Sequence, residues 1–378
     1  MRRLKIALVT PEHPNSPRHG GIARYLRDYA PALAAAADVV LVSTEAGEEL
    51  AGVPQHIVSA GCLPSPLAPP GRSRRIQDVL RRLNPDIVEY PNWGALGCCD
   101  RGHWTTVTRI STPVRRGSLR PGLMPRLARP LHHFWESQAI RRTDFAISHT
   151  NAHILTCEAV YGQLPPVKTI ALGVNLPPVE PLPGARGVLF VGRFEARKGL
   201  DVLIEAWRSL SAAQKAGLTL HLVGRDTPGR SGSYLRDCLR DDPPEALAVK
   251  VHHSLNEAEL ARLRQSCHIA VVPSRYESFG MVVLEAFAFG HAVIASTAGG
   301  LPEVVRDGED GLLVAPEDVA ALARALARLG QDEALAAKLA TAGRQALATR
   351  FSVARMVEAS LAAYEVAVAG NTGGEEAR

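Results

Sequence analysis

The chain has 378 residues, more than one hydrophobic core usually holds, so two domains of ordinary size are expected. Hydrophobic residues make up 46% and charged residues 21%, the balance of a soluble globular protein with a real core. The net charge of +5 is spread along the chain, which argues against nucleic acid as a partner.

Met1-Arg2-Arg3 leads straight into an alternating strand, KIALVT (Lys5 to Thr10), with no cleavage-site pattern. A loop ending in Gly20-Gly21 follows, then a helix from Ile22 to Ala36 and a strand from Asp38 to Ser43. This is a βαβ unit and hence the start of a parallel sheet. Glycines at the entry to a helix let a ligand approach the backbone, but the spacing is not the G-x-G-x-x-G of dinucleotide enzymes. Further strands are expected at His56 to Ser59, Asp86 to Tyr90, Thr105 to Ile110 and Asp144 to Ser148. Helices are expected at Ser73 to Leu83, Leu131 to Arg141 and Ala152 to Tyr161, with Thr112 to Pro130 as a Pro-, Gly- and Arg-rich loop. Arginines cluster at Arg72, Arg74, Arg75, Arg81 and Arg82, and again at Arg115, Arg116, Arg120, Arg126 and Arg129; the ordinary reading is a solvated face, with membrane-surface or acceptor contact as the alternative.

The first domain, 1–175, is expected to end at a proline-rich linker, 176–187. A second βα alternation fills 188–351: strands from Val188, Thr219, Val249 and Ile269, with helices at Leu200 to Leu210, Tyr234 to Arg240 and Glu257 to Ser266 between them. Ser254 and Glu257 have capping-box spacing. Three alanine-rich helical stretches follow Leu313-Val314, the last over 352–369, with a polar, frayed tail from Gly370. The fold class is therefore α/β, two Rossmann-like doubly wound domains, and in such folds ligands lie at the carboxyl ends of the strands, here in the cleft between the two. Six cysteines, Cys62, Cys98, Cys99, Cys157, Cys238 and Cys267, show neither C-x-x-C spacing nor disulfide density, and no stretch approaches the roughly 20 apolar residues of a membrane span, so a cytoplasmic location is expected.

The stretch most informative about chemistry is Val272 to Glu303, a strand end, a polar turn, an apolar helix from near Phe279, a strand and a Gly-Gly-x-Pro-Glu turn. Glu277 stands in the turn and Glu285 in the helix; a fully helical span would separate them by roughly 12 Å. That exceeds the separation of about 5 to 9.5 Å in glycosidase carboxyl pairs, and suits two groups gripping opposite ends of one extended ligand. Upstream, a strand runs into Arg193, with Lys198 and Gly199 in the same loop, two cations suited to a diphosphate.

Pro273-Ser274, Glu277, Phe279-Gly280, Glu285, Gly299-Gly300 and Pro302-Glu303 resemble the E-x7-E signature of the retaining, GT-B-fold family 4 glycosyltransferases. Gly192-Arg193 to Lys198-Gly199 matches that family's G-R-x(4)-K-G segment. The resemblance implies a GT-B fold and transfer of a hexose-type sugar from a nucleotide donor, expected to be a UDP-sugar, to a small hydroxylated acceptor, with no essential metal or other cofactor. It implies that Arg193 and Lys198 hold the donor diphosphate and that Gly21 faces the phosphates. Glu277 would bind a donor-sugar hydroxyl, backbone groups of Phe279, Gly280, Met281 and Val282 would contact sugar and phosphate, and Glu285 would accept from the ribose hydroxyls. The family's helix at the chain end, here with Phe351 and Tyr364, crosses back onto the first domain.

Where many relatives have a histidine beneath the donor sugar, this chain has Arg109-Ile110-Ser111-Thr112, with Ser111 in the histidine's place; His103, His132 and His133 are alternatives. The acceptor is expected to meet Glu89, Trp93, Arg109 and Ser111 on the first domain. Two rival functions stay open: a sugar-nucleotide-binding homologue acting as a partner subunit, and a peripheral transferase acting on a lipid head group. A dehydrogenase is disfavoured, since the glycine fingerprint and its acidic ribose partner are missing.

Overall fold

The computed structural model describes residues 3–16, 20–59, 67–114, 123–215, 217–240 and 242–375, the side chains of 123–127 and 371–375 excepted. The chain divides into two compact units, Met1–Asn175 with Phe351–Arg378, and Leu176–Arg350.

The first unit runs β1 (Lys5–Thr10), α1 (Gly21–Ala34), β2 (Asp38–Ser43), β3 (Gln55–Ile57), α2 (Ala68–Leu83), β4 (Ile87–Pro91), β5 (Thr105–Arg109), α3 (Leu123–Ile140), β6 (Phe145–Ser148), α4 (Asn151–Tyr161) and β7 (Val167–Thr169). Its seven strands lie in the order β3-β2-β1-β4-β5-β6-β7, and every pairing is parallel. Helix α1 buries Ala23, Leu26, Ala30 and Leu33, spaced at three and four residues, which is one helical face. Ala7, Val9, Val40, Val42, Ile76, Leu80 and Val88 form a core cluster in which α2 covers the central strands.

The second unit runs β8 (Gly187–Val191), α5 (Leu200–Ser209), α6 (Ala212–Lys215), β9 (Thr219–Val223), α7 (Tyr234–Leu239), β10 (Val249–His252), α8 (Glu257–Gln265), β11 (Cys267–Val272), α9 (Met281–Ala288), β12 (Ala292–Ser296), α10 (Leu301–Val304), β13 (Leu312–Val314), α11 (Val319–Gln331) and α12 (Glu333–Arg350). The sheet order is β10-β9-β8-β11-β12-β13, again parallel. Val188, Phe190, Leu220, Leu222, Ile269, Val271 and Ile294 meet Leu203, Trp207, Leu322 and Leu326 of α5 and α11 in one core. Near-continuous apolar runs such as VLFV and IAVV are what strands covered on both faces require. Helix α13 (Val353–Glu375) then packs against α1 and β5 in the first unit.

Several boundaries differ from expectation. The loop expected at Thr112 to Pro130 gives way to α3 at Leu123, so Pro130 lies inside a helix; residues 115–122, with Arg115, Arg116 and Arg120, fall outside the described residues, as do Cys62 and the Arg126 side chain. Helix α2 begins at Ala68, with proline in its first turn, where a missing N–H costs nothing. The capping box is formed by Asn256 and Glu259, not Ser254 and Glu257: Asn256 Oδ1 accepts from Glu259 N at 2.9 Å and Glu259 Oε2 from Asn256 N at 2.8 Å. Leu255 and Leu260, flanking that cap at the hydrophobic-staple positions, pack on the same cluster and decide between the two overlapping boxes. The proline-rich stretch 176–187 is pinned to the second unit, Val179 N donating to Ala288 O and Leu182 N to Gln265 O, both at 2.8 Å. Helix α13 continues past Gly370 to Glu375 where a frayed tail was expected. The strand β7 had no counterpart among the expected elements.

Candidate active site

In the second unit, β8 delivers Gly192-Arg193 to the carboxyl edge of the sheet and β11 delivers Pro273-Ser274 to the same edge, since the two strands are parallel neighbours. Between Arg193 and α5 lies a single 3-10 turn, Ala196–Lys198. It closes on Gly199, at φ 68°, where a Cβ would sit 1.9 Å from Pro273 O, so only glycine lets the β8 loop lie on the β11 loop. Gly299 (φ 58°) packs equally closely on Glu277, a Cβ there meeting Glu277 O at 2.1 Å, and Gly300 N donates to that carbonyl at 2.9 Å. Glu277 is thereby held between two loops far apart in sequence.

The Glu277 carboxylate is buried, 9% exposed, and carries a cation on each oxygen. Lys198 Nζ donates to Oε1, Ser274 Oγ donates to the same atom at 3.1 Å, and Arg197 Nη1 lies 3.8 Å from Oε2. Burial alone would raise its pKa; the charges of Lys198 and Arg197 outweigh that and hold Glu277 below the usual carboxylate range. Arg197 Nη2 donates to Glu195 Oε1 at 2.9 Å, and Arg193 Nη2 lies 3.3 Å from the same oxygen. Glu195 is 3% exposed whereas Arg193 is half exposed, so a buried carboxylate ties an outward arginine to an inward one. Glu195 and Arg197 were not singled out from the sequence, although both lie within the G-R-x(4)-K-G segment.

Helix α9 starts at Met281 with Gly280 as its N-cap, so Glu277 precedes the helix and the separation estimated for a fully helical span does not apply. Phe279 is buried, and Met281 and Val282 belong to the first turn, whose N–H groups an α-helix does not satisfy internally. Glu285 lies one turn in and accepts from Arg264 Nη2 of α8, whose guanidinium stands 5.2 Å over the Phe289 ring.

In the first unit the expected residues separate into two groups. Gly21 opens α1 exposed, with nothing within 4 Å of a Cβ built on it. Trp93 is half-buried in the turn after β4. Ser111 follows β5, its N–H and hydroxyl both donating to Asn92 Oδ1, at 2.7 and 2.8 Å. Glu89 and Arg109, in contrast, are not placed to read an acceptor. They lie within β4 and β5, 3% and 1% exposed, and form a fork: Arg109 Nε to Glu89 Oε1 and Nη2 to Oε2, both at 2.9 Å. Tyr29 OH and Ser360 Oγ accept from Arg109 Nη2 at 3.2 and 3.1 Å, and Tyr364 OH donates to Glu89 Oε2 at 2.6 Å. Central strands of a sheet covered on both faces expose no side chain, so a charge there must be paired internally. His103 lies at the opposite, amino edge of the sheet, its Nε2 2.7 Å from Asn84 Oδ1. His132 is partly buried, which lowers its pKa, and His133 stacks on Tyr161.

Behind Ser111, burial pushes the Glu136 carboxyl up to about 7, against hydrogen bonds from Tyr161 and the Val114 amide. Since the ordinary value is near 4.5, the unfolded chain ionises first as pH rises, so folded stability should fall between about pH 4.5 and 7 by on the order of 3 kcal/mol and then level. Glu136→Gln should flatten that segment of the curve; urea midpoints at pH 5, 6, 7 and 8 that decline equally in both proteins would refute the assignment.

Two doubly wound parallel sheets, one of them carrying cations over a buried carboxylate at its carboxyl edge, define the α/β class that binds ligands at strand ends. Residues 19–176 match the family model described as Glycosyltransferase Family 4, and residues 179–346 match Glycosyl transferases group 1. The chain is 32% identical over 299 residues to glycogen synthase of Mycobacterium tuberculosis (strain ATCC 25618 / H37Rv), spanning 77% of this chain and 71% of that protein. It is 31% identical over 307 residues to D-inositol 3-phosphate glycosyltransferase of Mycobacterium avium (strain 104), spanning 75% and 70%. It superposes with a TM-score of 0.73, at 19% identity, on Anabaena Alr3699/HepE in complex with UDP-glucose, spanning 95% of this chain and all of that one. The chain belongs to the group 1, family 4 glycosyltransferases. It is a retaining hexosyltransferase of GT-B fold that takes its sugar from a nucleotide donor. Among the described residues no helix is long and apolar enough to cross a membrane.

Proposed function

We propose that this glycosyltransferase moves a glucose-type hexose from UDP to a hydroxyl of a small polar acceptor. The observation that carries the reading is the buried Glu277 carboxylate clamped by Lys198 and Arg197, with Arg193 tethered beside it through Glu195. Three cations against two carboxylates leave one net positive charge, a complement to a donor diphosphate. As the bond from the anomeric carbon to the diphosphate oxygen breaks, charge builds on the leaving group, and Arg193 and Lys198 stabilise it more in the transition state than in the ground state. Glu277 orients the sugar through its hydroxyls. The first-turn amides at Met281 and Val282 add a partial positive charge for phosphate, so no divalent metal is required. Glu285 takes the ribose, held in place by Arg264. The UDP-glucose complex of the Anabaena protein and the inositol phosphate named for the mycobacterial relative support the donor and the small-polyol acceptor.

A mass-spectrometric screen of nucleotide sugars against sugars, polyols and lipid head groups, run in EDTA, tests this reading. Release of UDP with a glucosylated small polyol is the expected result; exclusive use of another nucleotide, or turnover only after metal addition, overturns it. Binding of UDP-glucose with no UDP released by any acceptor would instead favour the partner-subunit alternative. Glu285→Ala should raise the donor KM about tenfold with little change in kcat, as loss of a charge-assisted hydrogen bond to ribose requires; an unchanged donor KM excludes the ribose role.

A further inference from the structure

Ser111 is the visible end of a hydrogen-bond chain that crosses the first unit. Asn92, fully buried after β4, accepts at Oδ1 from both Ser111 N and Ser111 Oγ, and its Nδ2 donates to Tyr161 OH at 3.2 Å. Tyr161, the last residue of α4, donates to Glu136 Oε2 of α3 at 2.8 Å, and Val114 N donates to the same oxygen at 3.1 Å. The Tyr161 ring is stacked on His133 at 5.7 Å. We infer that Glu136, Tyr161 and Asn92 are positioning residues that lock the Ser111 hydroxyl with its lone pairs outward, making it an acceptor for a hydroxyl of a bound polyol.

The direction of every bond follows from groups that have no choice. A backbone N–H can only donate, so the Ser111 amide forces Asn92 to present its oxygen, and the Asn92 amino group must face Tyr161. Tyr161 oxygen, accepting from Asn92, turns its proton to Glu136, whose Oε2 is an acceptor whether the carboxyl is ionised or carries its proton on the other oxygen. Val114 N donating to Oε2 makes the same demand. The Ser111 proton is thus committed to Asn92, and among the described residues no group donates to Oγ. The hydroxyl oxygen of half-buried Ser111, with only lone pairs to offer at the carboxyl edge of β5, is matched by a ligand O–H and mismatched by a phosphate oxygen. Chains of this kind strengthen cooperatively, so a break at Tyr161 is felt at Ser111.

The inference rests on the reading of Ser111 as an acceptor-side residue, and its test separates the two halves of the site. Calorimetric titration with UDP reports the donor half; saturation-transfer NMR with glucose, myo-inositol and glycerol, with and without UDP, reports the polyol. The parent protein should bind at least one of the three. Ser111→Ala and Tyr161→Phe should weaken that polyol about tenfold, while Glu136→Gln, which keeps an acceptor oxygen, stays within about twofold and UDP affinity is unchanged in all three. Binding of no polyol by the parent, or equal polyol affinity in Tyr161→Phe, overturns the inference while UDP binding upholds the donor reading. Failure to bind UDP sinks the donor reading alone, and the polyol comparison still decides. Circular dichroism checks folding; if Tyr161→Phe does not fold, the contrast of Glu136→Met with Glu136→Gln decides the same point.

Discussion

Lys198→Ala should fold and lose about 10²- to 10³-fold in kcat, with a much smaller change in donor KM, because its charge matters most when the diphosphate leaves. A second signature goes with it. In the parent, Glu277 is held below its ordinary pKa, so its pairing contributes stability above the unfolded carboxylate pKa, which is lost as pH falls through the folded value. Without Lys198, burial is no longer outweighed to the same degree and the Glu277 pKa climbs. The variant should therefore lose less stability than the parent as pH falls through the carboxylate range, from about pH 5 to pH 3. A variant with parental kcat, or with an unchanged pH profile of melting, would remove Lys198 from the site.

Arg109→Leu should cost about 3–5 kcal/mol of stability, since it strands Glu89 in the interior of a central strand. The double variant Arg109→Leu with Glu89→Leu should recover much of that loss, because two apolar side chains need no partner. Denaturant midpoints of the two singles and the double measure this directly. An acceptor-reading arginine would behave in the opposite way, with stability kept and acceptor KM raised. That outcome would restore Arg109 to the acceptor side.

The same two residues show where sequence legibility stops. The G-R-x(4)-K-G and E-x7-E segments are local strings, so the loops that hold Arg193, Lys198 and Glu277, and the helix that holds Glu285, are readable. That Lys198 meets Glu277 across 79 positions is a matter of β8 lying beside β11, which no local string records. Glu89 is expected to meet the acceptor, yet it falls inside the expected strand Asp86 to Tyr90; a charge interrupting a strand flanked on both sides in the sheet signals a buried partner, and Arg109 on the next strand is the candidate. Pro130 hid the first eight residues of α3, 123–130, because proline usually ends a helix rather than sitting inside one. The Asn92–Tyr161–Glu136 chain drew on residues from three elements, each unremarkable alone.

The first unit is made from the two ends of the chain, and the second interrupts it. Val174 N donates to Phe351 O, and Val174 pairs with Ser352 in a parallel bridge, so the outgoing and returning strands of chain run side by side. During synthesis the ribosome must therefore complete the whole interruption before Ser360 and Tyr364 can reach Arg109 and Glu89. At about 5–20 residues per second, the first-made half waits on the order of ten seconds or more with its buried charges incompletely satisfied. The part of the protein made first is thus the part finished last, and premature termination anywhere before α13 penalises the unit already made.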